Sequence, residues 1–290
     1  MIVMNEKIEN KITEKTGSDH DMKKKIGFIG CGNMAQAMIA GMIRSEVIPP
    51  EQIMASAFTE ATLIEVRKNY HIHISQDNKA VAAFADILFL AIKPDQYKKV
   101  INEIKDAVGD DTIVVTIAAG ITIDAMNEAL REGAKVVRTM PNTPSLVGEG
   151  LSALCPNEFV EKEELQDVKV LFESFGKAEV IQEDLMDAIP AISGSSPAYV
   201  FMFIEALADG GVMQGIPRKQ AYRLAAQAVL GAAKMVLETG MHPGELKDQV
   251  CSPGGATIEA VTTLEQKQFR GAVLSAMESC TKKAKDLAKS

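Results

Sequence analysis

Two short segments, far apart in the chain, carry residues whose types and spacing suit anion binding. Residues 26–35 read IGFIGCGNMA, an apolar run followed by the pattern G-x-G-x-x-A. Residues 251–258 read CSPGGATI, in which a serine, a proline and two glycines precede a helical pattern. Backbone N–H groups at a helix start lack partners within the helix and attract negative charge. The first segment suits a pyrophosphate and the second a small carboxylate, which together indicate a reductase of a small acid.

In the first segment, a strand, a glycine turn and a helix follow in the order of a dinucleotide site. Gly30 permits the tight turn, Gly32 lets the backbone approach the pyrophosphate, and Ala35 allows the helix to pack closely on the strand. An ordinary βα turn without a ligand is the alternative. The apolar strand before the turn and the helical pattern after it favour the dinucleotide.

The end of the second predicted strand bears on the choice of dinucleotide. Residues 54–59 read MASAFT, and no acid stands where an NAD site usually binds the ribose 2′-hydroxyl, although Glu60 is close. Without that carboxylate a 2′-phosphate is not repelled, so we expect NADPH. No arginine is present there to bind the phosphate, so NADH is the alternative. We assign Ser56 as a cofactor contact.

Two further strands end in residues that could contact a cofactor. Residues 88–94 read LFLAIKP, which brings Lys93 to the carboxyl end of a buried strand, where ligands of open α/β sheets bind. A surface salt bridge is the alternative role for this lysine. Residues 118–120 read AAG and are too small to obstruct a nicotinamide ring.

The second anion segment predicts a helix start at Ser252 and Pro253, because serine caps helices and proline opens them. Gly254 and Gly255 leave the following N–H groups uncovered for a carboxylate. The Thr257 hydroxyl could then hold an adjacent polar atom. A capped helix without a ligand is the alternative.

The apolar pattern predicts the elements that carry these residues. Strands are expected at residues 26–29, 52–56, 71–74, 87–92, 113–117, 136–140 and 151–155, with 179–181 as a closing strand, and helices at 34–44 and 59–69. Runs such as ILFLAI and IVVTI are typical of strands buried on both faces. The fold class is therefore α/β, an N-terminal Rossmann-type doubly wound sheet followed by an all-helical dimerisation domain.

The domain organisation follows from a change of pattern near residue 185. Residues 1–22 are expected to be a flexible leader, 23–184 the dinucleotide-binding domain, and 185–290 a helical substrate-binding and dimerisation domain. Helices are predicted at 199–212, 217–239, 257–265 and 268–289. The helix at 199–212 is apolar almost all round, which requires burial, so we expect the helical domain to pack against a second subunit.

Composition restricts the remaining function classes. The net charge of −8 and the absence of Trp argue against nucleic-acid binding. The four cysteines have no metal-type spacing, so we expect no metal site and reduced thiols in a cytoplasmic protein. His71 and His73 share a face of a short strand, but two histidines without a third ligand are typically solvated. Residues 197–204 are apolar but too few to cross a bilayer, so we expect no membrane.

Taken together, these motifs resemble pyrroline-5-carboxylate reductase from about residue 24 to residue 286. The stretches that carry the resemblance are GFIGCGNMA, FLAIKP, TIAAG, RTMPNTPSLVGEG, SGSSPAYVFMFIEALADGGV and HPGELKDQVCSPGGATI. The resemblance implies reduction of the ring imine of 1-pyrroline-5-carboxylate to proline, the last step of proline biosynthesis, with NADPH usually preferred to NADH. It also implies helical domains that interlock as homodimers, which often assemble into decamers.

The resemblance further implies the site residues. Cofactor contacts fall on Ile29, Gly30, Cys31, Gly32, Asn33, Met34, Asn78, Ala91, Ile92, Lys93, Pro94, Ile117, Ala118 and Ala119. The substrate carboxylate meets Ser252, Gly255, Ala256 and Thr257, and the Thr257 hydroxyl is near the ring nitrogen as the catalytic group. A threonine hydroxyl is too weak an acid to protonate an imine, so we expect Thr257 to orient the nitrogen.

Two positions depart from the family pattern. Ser196 replaces the glycine of SGSGPAY, and Ala57 replaces a serine common at the end of the second strand. These changes support one alternative, a non-catalytic paralogue that binds NADP. A second alternative is a reductase of another cyclic imino acid, such as the six-membered homologue, because one methylene is worth only about 1–3 kcal/mol and the sequence does not separate the two ring sizes.

Overall fold

The computed structural model describes residues 22–288 of the chain. The predicted leader lies outside these residues except for Met22, which is buried in the core. The described residues group into two compact units, one formed by residues 22–197 and 278–288 and the other by residues 198–277. The bounds 23–184 and 185–290 proposed from the sequence stay a prediction.

The first unit is built on an eight-stranded sheet. Its strands are β1 (Ile26–Ile29), β2 (Ile53–Ser56), β3 (His73–Ser75), β4 (Ile87–Leu90), β5 (Ile113–Thr116), β6 (Lys135–Met140), β7 (Gly150–Pro156) and β8 (Gly176–Val180). The spatial order is β3-β2-β1-β4-β5-β6-β7-β8. The reversal of order at β1 is the topological switch point at which open α/β sheets bind ligands. The predicted doubly wound sheet is confirmed.

One pair of strands departs from the parallel arrangement. β6 and β7 pair antiparallel, with Met140 opposite Ala153, whereas β7 and β8 are parallel. A single turn of 3₁₀ helix, Thr143–Val147, joins β6 to β7 and leaves no room for the helical crossover that a parallel pair requires. The apolar pattern of residues 151–155 carried no information on strand direction.

Seven helices in the first unit flank or follow the strands. They are α1 (Asn33–Arg44), α2 (Glu60–Tyr70), α3 (Asn78–Phe84), α4 (Tyr97–Ile104), α5 (Ile123–Ala129), α6 (Lys162–Glu173) and α7 (Glu183–Met186). Two apolar clusters cover the sheet, and Phe28 of β1 stacks on Phe89 of β4 with ring centroids 4.7 Å apart. This core fixes the carboxyl ends of β1 and β4 side by side.

The predicted start of the short strand at residues 71–74 was wrong. His71 ends α2 in a left-handed conformation with φ of 58°, and the strand runs from His73 to Ser75. The two histidines therefore do not share one strand face. The left-handed turn at His71 separates them, a conformation that histidine tolerates better than most residues.

The second unit is helical and has a small core. Its helices are α8 (Ser196–Met213), which begins in the first unit, α9 (Arg218–Thr239), α10 (Pro243–Val250), α11 (Ala256–Gln266) and α12 (Phe269–Ala288), which ends in the first unit. The buried apolar residues of this unit are three alanines, Ala208, Ala221 and Ala225. Larger apolar side chains lie outside, among them Phe201 at 62% exposure and Met202 at 70%.

The apolar stretch at residues 197–204 belongs to a longer helical segment, and the expectation of no membrane stays a prediction. The helical stretch Pro190–Met213 has 24 residues and contains an 18-residue window with a mean hydropathy of 1.2, so its length and composition would allow it to cross a membrane. The helix extends beyond residues 197–204 on both sides, and Glu205 and Asp209 do not interrupt it. Core helices of soluble proteins satisfy the same criterion.

Candidate active site

A cavity of about 530 Å³ opens at the carboxyl ends of β1, β2 and β4. It brings together nine of the predicted cofactor residues: Ile29, Gly30, Cys31, Gly32, Ser56, Asn78, Ala91, Ile92 and Lys93. The cavity lies at the switch point of the sheet, where a dinucleotide is expected. Their role as cofactor contacts stays a prediction.

The two glycines of the turn have different structural roles. Gly30 has φ of +90°, and a Cβ there would collide with the carbonyl oxygen of Ala91 at the end of β4. Its N–H donates to the Ser56 carbonyl oxygen at 3.1 Å, so the turn is tied to β2 as well. A Cβ at Gly32 would meet no atom within 4 Å. The space beside Gly32 is therefore open to a ligand.

The start of α1 is equipped for an anion. Its N-cap residue, Gly32, has no side chain that could cap the helix, and the first turn carries no acidic residue. The N–H groups of that turn have no partner within the helix. Of the described residues that line the cavity, Lys93 alone carries a formal charge. The cavity thus attracts anions locally, although the protein carries a net charge of −8.

Cys31 in the turn is a buried neutral thiol. Burial raises the pKa of Cys31 from 9.0 to about 12, so the side chain carries no charge near neutral pH. Its carbonyl oxygen accepts a hydrogen bond from Gln36 Nε2 at 3.2 Å. Cys31 therefore fills a tight turn as a small apolar residue.

Ser56 and Asn78 form one hydrogen-bonded group on the cavity wall. Ser56 Oγ donates to Asn78 Oδ1 at 2.7 Å, and Asn78 Nδ2 donates to Glu103 Oε2 at 3.2 Å. Asn78 is thereby held in one orientation at the start of α3. An amide nitrogen carries two protons, so one remains for a ligand, and the Ser56 oxygen can still accept a hydrogen bond.

Six predicted cofactor contacts lie outside the lining of this cavity: Asn33, Met34, Pro94, Ile117, Ala118 and Ala119. Asn33 lines a second cavity, of about 620 Å³, with Arg44 and Tyr70. Ala118 and Ala119 line a cavity of about 20 Å³ beside the buried Arg138. Their assignment stays a prediction.

The helix predicted at residues 257–265 is confirmed, but the prediction that Ser252 caps it and Pro253 opens it was wrong. α11 begins at Ala256 with Gly255 as the N-cap residue, and Ser252 and Pro253 lie in the preceding turn. Gly254 has φ of +69°, which interrupts any helix that Pro253 would open. The substrate residues Ser252, Gly255, Ala256 and Thr257 nevertheless lie within a six-residue segment at one helix start.

The local backbone geometry also explains why residues 254 and 255 are glycines. Gly254 occupies the left-handed region, and a Cβ at Gly255 would collide with Ser252 Oγ. The Gly255 N–H donates to the Ser252 carbonyl oxygen at 3.0 Å. No side chain caps α11, so its first N–H groups are available to a ligand, with the half-buried Thr257 in the first turn.

The sequence singled out Ala57 but did not assign it as a cofactor contact, and it missed other lining residues: Phe58, Thr59, Thr62, Gln76, Gln96 and Val100. These residues follow β2, β3 and β4, and the loops after parallel strands always meet at one edge of the sheet. That rule could have identified them. No motif marks them in the sequence.

The sheet order, the glycine turn and the open helix start define a Rossmann-type dinucleotide-binding protein. Residues 25–120 match the family model described as coenzyme F420-dependent NADP oxidoreductase. Residues 183–287 match the model of pyrroline-5-carboxylate reductase dimerisation. The chain belongs to the pyrroline-5-carboxylate reductase family, and the resemblance noted in the sequence is confirmed.

Relatives and solved structures agree over nearly the whole chain. The pyrroline-5-carboxylate reductase of Escherichia coli (strain K12) is 51% identical over 93% of this chain and 100% of its own length. The Arabidopsis thaliana enzyme is 39% identical over 92% and 96%. The Coxiella burnetii structure has a TM-score of 0.87 at 35% identity, covering 92% of this chain and 99% of that one. The Plasmodium falciparum structure, with NADP bound, has a TM-score of 0.82 at 33% identity, covering 92% and 98%.

Proposed function

We propose that the protein is a pyrroline-5-carboxylate reductase, which reduces 1-pyrroline-5-carboxylate to proline with NADPH. The observation that carries the proposal is the 51% identity to the Escherichia coli enzyme over that enzyme's whole length. The cavity at the glycine turn and the uncapped start of α11 supply the two anion sites that a dinucleotide and an amino-acid carboxylate require.

The residues of the first unit fit the dinucleotide. The open space beside Gly32 and the free N–H groups of α1 suit the pyrophosphate. Lys93 supplies a positive charge, and Ser56 and Asn78 offer hydrogen-bonding atoms. When bound, the reduced nicotinamide supplies a hydride to the imine carbon. The protein's own contribution is to bind and orient the two reactants.

Thr257 and its neighbours fit the substrate. The carboxylate would accept hydrogen bonds from the first N–H groups of α11, where the helix dipole favours negative charge. The Thr257 hydroxyl would hydrogen-bond the ring nitrogen and orient the C=N bond. As the hydride reaches carbon, the nitrogen keeps the proton of an iminium ion or takes one from water, which gives the secondary amine of proline.

The lining residues favour NADPH over NADH only modestly. No carboxylate among the described residues lines the cavity near the end of β2, so a 2′-phosphate is not repelled. No arginine within residues 22–288 lines it either. Steady-state kinetics with both nucleotides would measure the preference as a ratio of kcat/KM values.

The helical unit is proposed to form the homodimer. Phe201, Met202 and other large apolar side chains lie exposed on helices whose own core is three alanines. An exposed surface of this kind marks an interface, and residues 183–287 match a dimerisation family. Light scattering would distinguish a dimer from a decamer.

The expected location is the cytoplasm. Partition of the protein into membranes would contradict it.

The reaction is tested by the oxidation of NADPH and NADH in the presence of 1-pyrroline-5-carboxylate. Rapid oxidation with proline as the product supports the proposal. Turnover only with the six-membered homologue would identify a reductase of another imino acid. Tight NADPH binding without turnover of either imine would identify a non-catalytic paralogue.

A further inference from the structure

The aromatic side chain of Phe58 is fully exposed to solvent in the described structure. It lies two residues after β2 in the lining of the cofactor cavity, and its relative exposure is 104%. Phe159, also in the first unit, is exposed to 40%. A phenyl ring fully exposed to water lacks the free energy that burial of its apolar surface would supply. A ligand that covers the ring would recover it.

The position of Phe58 relative to the glycine turn is fixed by the sheet. Ile29 of β1 pairs in register with Ser56 of β2, and the Gly30 N–H donates to the Ser56 carbonyl oxygen. Phe58 therefore follows β2 beside the turn that suits the pyrophosphate. In a Rossmann-type site the segment after the second strand faces the adenosine half of the dinucleotide.

The segment that carries Phe58 is anchored on both sides. Ser56 Oγ donates to Asn78, and Thr59 caps α2 by accepting a hydrogen bond from the Thr62 N–H at 3.3 Å. Because the backbone on both sides is already anchored, less conformational entropy is lost when the ring becomes ordered on binding.

The lining around Phe58 selects a flat and uncharged group. Thr59, Thr62 and Gln76, which line the same cavity, are neutral and can donate or accept hydrogen bonds. An aromatic face among such groups suits a purine base, since every base has a π-face that stacks on an aromatic ring.

We propose that Phe58 stacks on the adenine ring of the dinucleotide and contributes affinity that NADPH and NADH share. The proposal rests on the proposed function, because it assumes that a dinucleotide occupies this cavity. It adds an adenine-binding residue that has no equivalent in the glycine motif. Because the adenine is common to both nucleotides, Phe58 should leave the preference between them unchanged.

The experiment measures dissociation constants for fragments of the dinucleotide by calorimetry. 2′,5′-ADP carries the adenine half, and reduced nicotinamide mononucleotide carries the other half. We expect Phe58→Ala to weaken 2′,5′-ADP, NADPH and NADH by about 5- to 100-fold, the range of one aromatic–base stack, and to leave the mononucleotide unchanged. Phe58→Tyr should restore affinity, and Phe159→Ala is the matched control.

The outcomes separate this proposal from the proposed function. Unchanged 2′,5′-ADP affinity in Phe58→Ala would overturn the stacking role, and a change of oligomeric mass in that variant would then identify Phe58 as a subunit contact. Equal weakening of both fragments would overturn it as well, since the effect would not be specific to adenine. Specific weakening of 2′,5′-ADP by a protein that does not reduce the imine would support the role of Phe58 and contradict the reaction.

Discussion

The phenol oxygen of Tyr97 lies 2.7 Å from Thr116 Oγ1 in a buried site between the ends of β4 and β5. It also donates to the Leu90 carbonyl oxygen at 2.7 Å. Leu90 precedes the Ala91–Pro94 contacts and Thr116 precedes the Ile117–Ala119 contacts predicted from the sequence. Burial raises the pKa of Tyr97 to about 12, so the hydroxyl stays protonated as a donor. One side chain therefore fixes the spacing of two strand ends.

Tyr97→Phe is expected to lower the free energy of unfolding by about 1–3 kcal/mol, because the carbonyl oxygen of Leu90 loses its buried hydrogen bond. The dissociation constant for NADPH should rise with it, since the residues after β4 are no longer held. Urea denaturation and NADPH titration check both effects. Tyr70→Phe, at a partly exposed tyrosine, is the control, and equal effects in the two variants would contradict a role for the Tyr97 hydroxyl.

Gly30→Ala should disrupt the cofactor cavity through two separate effects. The residue has φ of +90°, and the added Cβ would collide with the Ala91 carbonyl oxygen. Gly133→Ala is the matched control because Gly133 has φ of +79° but no atom within 4 Å of the added Cβ. We expect about 1–2 kcal/mol of destabilisation in the control, the cost of the backbone conformation alone.

The Gly30→Ala variant should lose more stability than the control and bind NADPH at least about tenfold more weakly, since the strand end at Ala91 must move. Thermal unfolding and NADPH titration provide the two measurements. If both variants bind NADPH as the wild type does, the close approach of Gly30 to β4 is not needed for the site.

Arg138 is a buried cation held by two carboxylates. Its guanidinium lies 3.3 Å from Glu183 Oε1 and 2.8 Å from Asp187 Oδ1. Arg138→Gln should cost about 1–3 kcal/mol, because two carboxylates that are 35% exposed would lose their hydrogen bonds to the buried guanidinium while staying partly hydrated. Arg131→Gln, which breaks an exposed pair with Asp110, should cost less than about 1 kcal/mol. Urea denaturation measures the free energy of unfolding of both variants. Equal decreases would contradict the prediction that the buried cation contributes more stability than the exposed one.

The elements of the nucleotide-binding half could be predicted because their signals are local. The strand at residues 26–29 is a buried apolar run, and Gly30 and Gly32 mark a turn whose geometry demands glycine at the first position. The direction of β7 could not be predicted, because parallel and antiparallel strands share one apolar pattern. Its direction depends on the short connection after Met140.

The candidate site was predictable where residues belong to a motif and not where they depend on packing between loops. Phe58 and Gln76 line the cavity because β2 and β3 end at the same edge of the sheet. The apolar pattern predicted the helix itself at residues 257–265, but Ser252 and Pro253 were wrongly assigned to its start because they have the composition of a helix start. The left-handed conformation of Gly254 delays the helix to Ala256.

The Cys31 thiol should make stability fall at alkaline pH. Its pKa is about 12 in the folded protein and near 9.0 when exposed, so between these values the unfolded chain has lost a proton that the folded chain keeps. The free energy of unfolding should therefore fall as pH rises above about 9, by at most about 1.4 kcal/mol per pH unit from this group. Cys31→Ala should flatten that slope in urea denaturation from pH 8 to 10.5, and an unchanged slope would contradict the assignment.

Thr257 provides the most direct test of the proposed chemistry. The half-buried side chain lies in the first turn of α11, where it would hydrogen-bond the ring nitrogen. Thr257→Ala should lower kcat/KM for 1-pyrroline-5-carboxylate by about 10- to 100-fold, the value of a transition-state hydrogen bond of about 1.5–3 kcal/mol. NADPH affinity should not change, and Thr257→Ser should recover most of the activity.

Thr263→Ala is the control, since the Thr263 hydroxyl donates to the Glu259 carbonyl oxygen on the same helix. An unchanged kcat/KM in Thr257→Ala would remove Thr257 from the mechanism, and an equal loss in Thr263→Ala would assign the effect to the helix.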